Sequence, residues 1–128
     1  MEKFVKKDLK RSQGKRAKTA VSECNIYEAS SWFEVLQTTD KSQIAVMTLK
    51  PGASTGEKPE SHEESQQILL LIDGELIGEL DGECKDVKAG DTLIIPPKVK
   101  HKFTNRGKKS AMTFNVYCPP EYPPDERG

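Results

Sequence analysis

The chain carries two histidines, His62 and His101, and Glu60 stands two residues ahead of the first. Residues two apart in an extended chain point to the same face, so Glu60 and His62 converge on one point if that stretch is extended. Two imidazoles and one carboxylate are the facial set of non-haem iron(II) sites with open positions. The same donors accept zinc, manganese, nickel or copper, because divalent affinity is not selective in itself. A site of this kind needs His101 delivered from a separate element. No further histidine remains for acid–base work, so proton transfer falls to Glu60 or to a water on the metal, whose pKa the metal lowers. There is no P-loop, dinucleotide fingerprint, nucleophile motif or CxxC pair to suggest another chemistry.

The elements that must position these residues read as strands. WFEVLQTT (32–39) alternates apolar and polar residues and is rich in β-formers, and SQIAVMTLKPG (42–52) follows as a second strand ending at a Pro-Gly turn. QILLLIDGELIGELDGE holds two Asp-Gly pairs, at 73–74 and 81–82, each flanked by apolar residues, which predicts two hairpins. A turn at 89–91 precedes a strand at 92–95 that Pro96-Pro97 stops. KHKFTNRGKK leads into an Asn-Arg-Gly turn, and SAMTFNVYCPP is a long closing strand. Seven to nine short strands with almost no helical periodicity predict an all-β sandwich, barrel or jelly roll. Ile44, Val46, Leu69, Leu71, Phe103, Phe114 and Val116 are expected to line its interior, with Phe103 and Tyr117 bordering a pocket near the open end.

At 128 residues the chain is expected to be one barrel over 24–118, between a basic arm (1–23) and a Pro-rich tail (119–128). The tail, PPEYPPDERG, predicts an extended, irregular lid or strap. Net charge is zero, but residues 1–18 hold eight Lys/Arg against Glu2 and Asp8, which leaves the remainder at −6. Charge alone, without a nucleic-acid-binding pattern beside it, argues for a solvated arm and against a nucleic-acid function. No apolar run reaches the roughly 20 residues a membrane span needs, and the N-terminal residues lack a secretory signal core. Cys24, Cys84 and Cys118 are far apart in sequence and are read as unpaired thiols of a reducing cytoplasm. Lys98 and Lys100 are either attractants for an anionic substrate or edge-blunting charges.

GDTLIIPPKVKHKFTN (90–105) resembles the second motif of the cupin family: Gly90, Pro96, His101 and Asn105 all fall in place. Only Lys98 departs, standing where glycine is usual. The first motif is matched more loosely. Counting back from Gly74 puts Gln67 at the family's Glu position, His62 at its second histidine and Glu60 at its first. A register with His62 as the first histidine would place Glu64 second; the four-residue gap from His62 to Gln67 favours Glu60. Glu63 and Glu64 are then solvated loop charges. The resemblance covers 42–120 and implies a double-stranded β-helix, or jelly-roll barrel, paired as a homodimer, with residues 24–38 a candidate for the interface. It implies one mononuclear divalent metal (Fe, Mn, Zn or Ni) held by Glu60, His62, Gln67 and His101. The implied function is binding, and turnover by oxygenase, isomerase or decarboxylase chemistry, of a small organic molecule. The rival expectation is a metal-free, non-catalytic binding or sensor cupin.

Overall fold

The computed structural model describes residues 20–124; the basic segment 1–18 and the last four residues lie outside them. After one 3-10 turn at Ile26–Glu28, eight strands follow: β1 (Phe33–Thr38), β2 (Gln43–Leu49), β3 (Gln66–Asp73), β4 (Glu75–Leu80), β5 (Glu83–Lys88), β6 (Thr92–Ile95), β7 (His101–Thr104) and β8 (Ala111–Cys118). They form a five-stranded sheet in the order β1-β2-β8-β3-β6 and a three-stranded sheet in the order β5-β4-β7. All pairings are antiparallel. The closing strand β8 is therefore central, held between β2 and β3, and the two sheets form a jelly roll. No helix among the described residues is long and apolar enough to cross a membrane.

The core lies between the sheets. Met47, Leu49, Leu69 and Leu71 from the larger sheet meet Leu76, Val87 and Phe103 from the smaller. Leu69 and Leu71 are fully buried, a burial worth about 2 kcal/mol each. The interior face differs from the sequence expectation on two strands. Ile44 pairs with Val116 and Val46 with Phe114, on the face opposite to the pairs Gln43–Tyr117, Ala45–Asn115 and Met47–Thr113 that point inward. Ile44, Phe114 and Val116 are thus half-buried on the outer face, and Val46, on that face too, is nevertheless fully buried. Alternation could not reveal this, because both faces of β2 and β8 carry apolar residues and the inner one also carries Gln43, Thr113 and Asn115. A period of two sets the spacing of a face but not which face is the core.

The two Asp-Gly pairs behave differently. Asp81 (φ 53°) and Gly82 (φ 86°) make a two-residue turn closing the β4–β5 hairpin, with Leu80 opposite Glu83. The hairpin expected at Asp73-Gly74 does not form: β3 and β4 belong to different sheets. Gly74, at φ 87°, is the corner where the chain crosses over, pressed against the start of β8. A Cβ there would sit 2.7 Å from Ala111 Cα and from the Ser110 carbonyl oxygen. Glycine serves the close approach as well as the dihedral.

Asn105 closes one end of the barrel. Fully buried, its amide nitrogen donates to the carbonyls of Leu49 (2.8 Å) and Lys109 (2.9 Å), and its oxygen accepts from Gly107 N–H (2.8 Å). From that end, residues 54–60 run antiparallel beside β7 toward the other. Bridges join Ser54 to Thr104 and Glu60 to His101. The three cysteines are free.

Candidate functional site

The chemistry-bearing residues gather at the end away from Asn105, and backbone pairing brings them there. Glu60 N–H donates to the His101 carbonyl (3.1 Å), and His101 N–H to that of Glu60 (2.8 Å). Two residues on, the His62 carbonyl accepts from Lys98 N–H at 2.7 Å. Lys98 is in the left-handed region (φ 71°), which accounts for the glycine usual at that place in the resembling motif. These contacts bring the His62 and His101 rings to a centroid separation of 5.0 Å.

On each ring Nδ1 is engaged by an oxygen that only accepts. His101 Nδ1 lies 3.0 Å from the Val99 carbonyl, and His62 Nδ1 lies 3.1 Å from the Glu121 carboxylate. An Nδ1–H donor satisfies both contacts and leaves both Nε2 atoms as bases. Burial lowers the His101 pKa; the contact with the Val99 carbonyl opposes this in part, and the nearby His62 adds to the lowering. Its ring is therefore held in the neutral form a metal or a substrate proton requires.

Gln67 enters from β3, buried between Ile95 of β6 and Tyr117 of β8. Its amide nitrogen donates to Asn115 Oδ1 (3.0 Å), while the Asn115 nitrogen donates to Thr113 Oγ1 (2.8 Å) and the Ala45 carbonyl (3.4 Å). That polar ladder orients Gln67 with Oε1 toward the histidines, 3.3 Å from His62 Nε2. Burying a polar amide is tolerated because every atom of the ladder has a partner.

The three residues open onto a cavity of ≈ 460 Å³. Phe103 and Tyr117 line it with Gln67; Trp32, Phe33 and Tyr122 form an aromatic side, and Lys58 and Glu60 stand at the rim. Tyr117 is edge-on to His62 (5.3 Å) and to Tyr122 (5.2 Å). Burial, then Tyr122 and Glu121, hold its hydroxyl pKa well above the usual tyrosine value, so it remains a neutral hydrogen-bonding group.

His62, Gln67 and His101 are brought together, and Glu60 lies next to them along the backbone with its side chain exposed. Among the described residues, no three His, Cys, Asp or Glu side chains gather within reach of one metal ion. What does gather is a pair of imidazole rings 5.0 Å apart and an amide oxygen 3.3 Å from one of them, groups whose donor chemistry suits a divalent cation without supplying negative charge. Sequence reasoning missed Glu121, Tyr122, Trp32 and Phe33 as site residues. The only available signal was PPEYPP, in which proline pairs bracket Glu121 and Tyr122.

Comparison with known proteins agrees with this architecture. Residues 45–117 match the family described as Cupin domain. An uncharacterised protein of Methanocaldococcus jannaschii is 38% identical over 63 residues, covering 49% of this chain and 47% of that protein. A Streptomyces cyaneus protein named polyketide synthase CurC is 32% identical over 74 residues, covering 57% and 47%. The chain thus spans about half the length of these curated relatives. Among solved structures, a Bacillus halodurans protein superposes with a TM-score of 0.75 at 19% identity, covering 85% of this chain and 88% of that one. A predicted oxalate decarboxylase from Thermotoga maritima gives 0.57 at 27% identity, covering 61% and 66%. With the matched family spanning β2 through β8 and the jelly roll enclosing its motif residues, the chain belongs to the cupin family.

Proposed function

We propose that the cavity binds a small organic molecule beside one divalent metal held by His62 Nε2, His101 Nε2 and Gln67 Oε1. The observation that carries this reading is the pair of occupied Nδ1 atoms, which leaves two basic nitrogens on neighbouring rings. A divalent ion bound there would supply Lewis acidity to a coordinated oxygen. Glu60, exposed on the rim and paired with His101 through the backbone, would complete the donor set or take a proton from the ligand only with its side chain turned inward. Phe103, Tyr117 and the aromatic side exclude water and orient the ligand, with Tyr117 donating a hydrogen bond. The likeness to a predicted oxalate decarboxylase supports the handling of a small molecule.

The absence of a third His, Cys, Asp or Glu donor among the described residues favours a second reading: a metal-free binding module in which the imidazoles and Gln67 hydrogen-bond the ligand directly. Titrating the purified chain with Co(II), Mn(II), Zn(II) and Ni(II), and then with small carboxylates and sugars, decides between them. The metal reading expects saturable uptake of one equivalent and tighter ligand binding afterwards. Ligand binding that ignores added metal establishes the second. A homodimer belongs to the same proposal, supported by exposed Tyr27 and Trp32 within 24–38. Light scattering at the monomer mass removes it.

A further inference from the structure

His62 lies between two acceptors. Glu121 offers a carboxylate to Nδ1 at 3.1 Å, and Gln67 offers an amide oxygen to Nε2 at 3.3 Å. The Gln67 oxygen cannot exchange places with its nitrogen unless Asn115 flips too, which would turn the Asn115 oxygen toward the Ala45 carbonyl. A neutral imidazole has one ring proton, so only one acceptor is satisfied. The carboxylate contact is charge-assisted and shorter, so it holds the proton. If Glu121 were absent, the proton would move to Nε2 and donate to Gln67, removing the lone pair from that nitrogen.

Glu121 reaches this position because its backbone is pinned. Gln43, buried on β2, accepts from the N–H groups of Glu121 (3.1 Å) and Tyr122 (3.0 Å) and donates to the Tyr122 carbonyl (2.8 Å). Ser65 Oγ donates to the Pro119 carbonyl at 2.7 Å. Tyr122 packs edge-on against Phe33 at 4.9 Å. Residues 119–122 form a strap across the cavity, anchored at both ends and in its middle.

We infer that Glu121 is a positioning residue, delivered by this strap, which keeps the His62 proton on Nδ1 and so leaves Nε2 as the metal-binding nitrogen. The consequence for a metal rests on the reading proposed above; the tautomer does not, and the two are measured separately. Long-range nitrogen–proton spectra of the metal-free, nitrogen-labelled full chain in alkaline buffer report which ring nitrogen carries the proton. The parent is expected to show it on Nδ1 of both histidines. In Glu121→Ala it moves to Nε2 of His62 alone. His101, held by Val99, is unchanged and shows that the fold persists. Glu121→Gln restores the parent pattern, because its amide oxygen still accepts. In Co(II) titrations Glu121→Ala binds roughly 10–100-fold more weakly, the usual loss when the partner of a metal-bound histidine is removed, and Glu121→Gln less so. A His62 proton that stays on Nδ1 in Glu121→Ala overturns the inference, even if metal binds. A tautomer shift in a chain that takes up no Co(II) upholds the inference and sinks the metal reading instead.

Discussion

The two histidines of the cavity are held in opposite ways. His101 is oriented locally: its ring contacts the carbonyl of Val99, two residues earlier, and its backbone is fixed by pairing with Glu60. His62 sits in the turn before β3, and its ring depends on Glu121, carried in from the far end of the chain. A side chain whose partner is its own neighbour is positioned once its strand forms. One whose partner is remote is positioned only when two distant segments have both docked. The motif around His101 is intact but for Lys98, whereas that around His62 keeps His62 and Gly74 and carries Glu60 and Gln67 at the other two donor positions.

The largest test of this contrast is Gln43→Ala. It removes three hydrogen bonds to the strap and touches neither histidine. The expected cost is about 2 kcal/mol of stability, with metal affinity falling roughly 10–100-fold through His62. Denaturant titration and Co(II) binding measure both. Unchanged metal affinity would mean that the strap does not govern His62.

The next effect should come from His101. Burial lowers its pKa, so the folded ring is neutral where the unfolded ring, at about 6.5, begins to take up a proton. The unfolded state then binds more protons, and stability is lost as pH falls through about 6.5 toward the folded-state value. Thermal midpoints across that range should drop in the parent, and His101→Gln should flatten the drop. An unaltered slope in the variant assigns the acid sensitivity elsewhere.

The smallest change is Lys98→Gly. Relief of a left-handed non-glycine residue is worth about 1–2 kcal/mol, offset by the extra freedom glycine has when unfolded, roughly 0.5–1 kcal/mol. A net gain of up to about 1 kcal/mol is expected, with the His62 carbonyl contact retained. A loss of stability would show that the Lys98 side chain contributes packing that the exposed rim does not suggest.

Legibility followed the same division. The strands, the Asp81-Gly82 hairpin, the stop at Pro96-Pro97 and the place of His101 were all readable, because each rests on residues close in sequence. The inner face of β2 and β8 was misassigned, since register is set by partners on neighbouring strands and both faces carry apolar residues. Asp73-Gly74 was read as a hairpin because the dipeptide reports a reversal of direction and not which sheet the next strand joins. Glu121 and Tyr122 escaped the site reading altogether: nothing local to PPEYPP says that Gln43 will draw it across the cavity.

If His62 and His101 together hold a metal, Co(II) uptake by the parent, His62→Ala and His101→Ala shows it most directly. The expected result is one equivalent bound by the parent, with the absorption of a histidine-ligated ion, and no saturable uptake by either variant. Equal uptake by all three proteins would contradict the site.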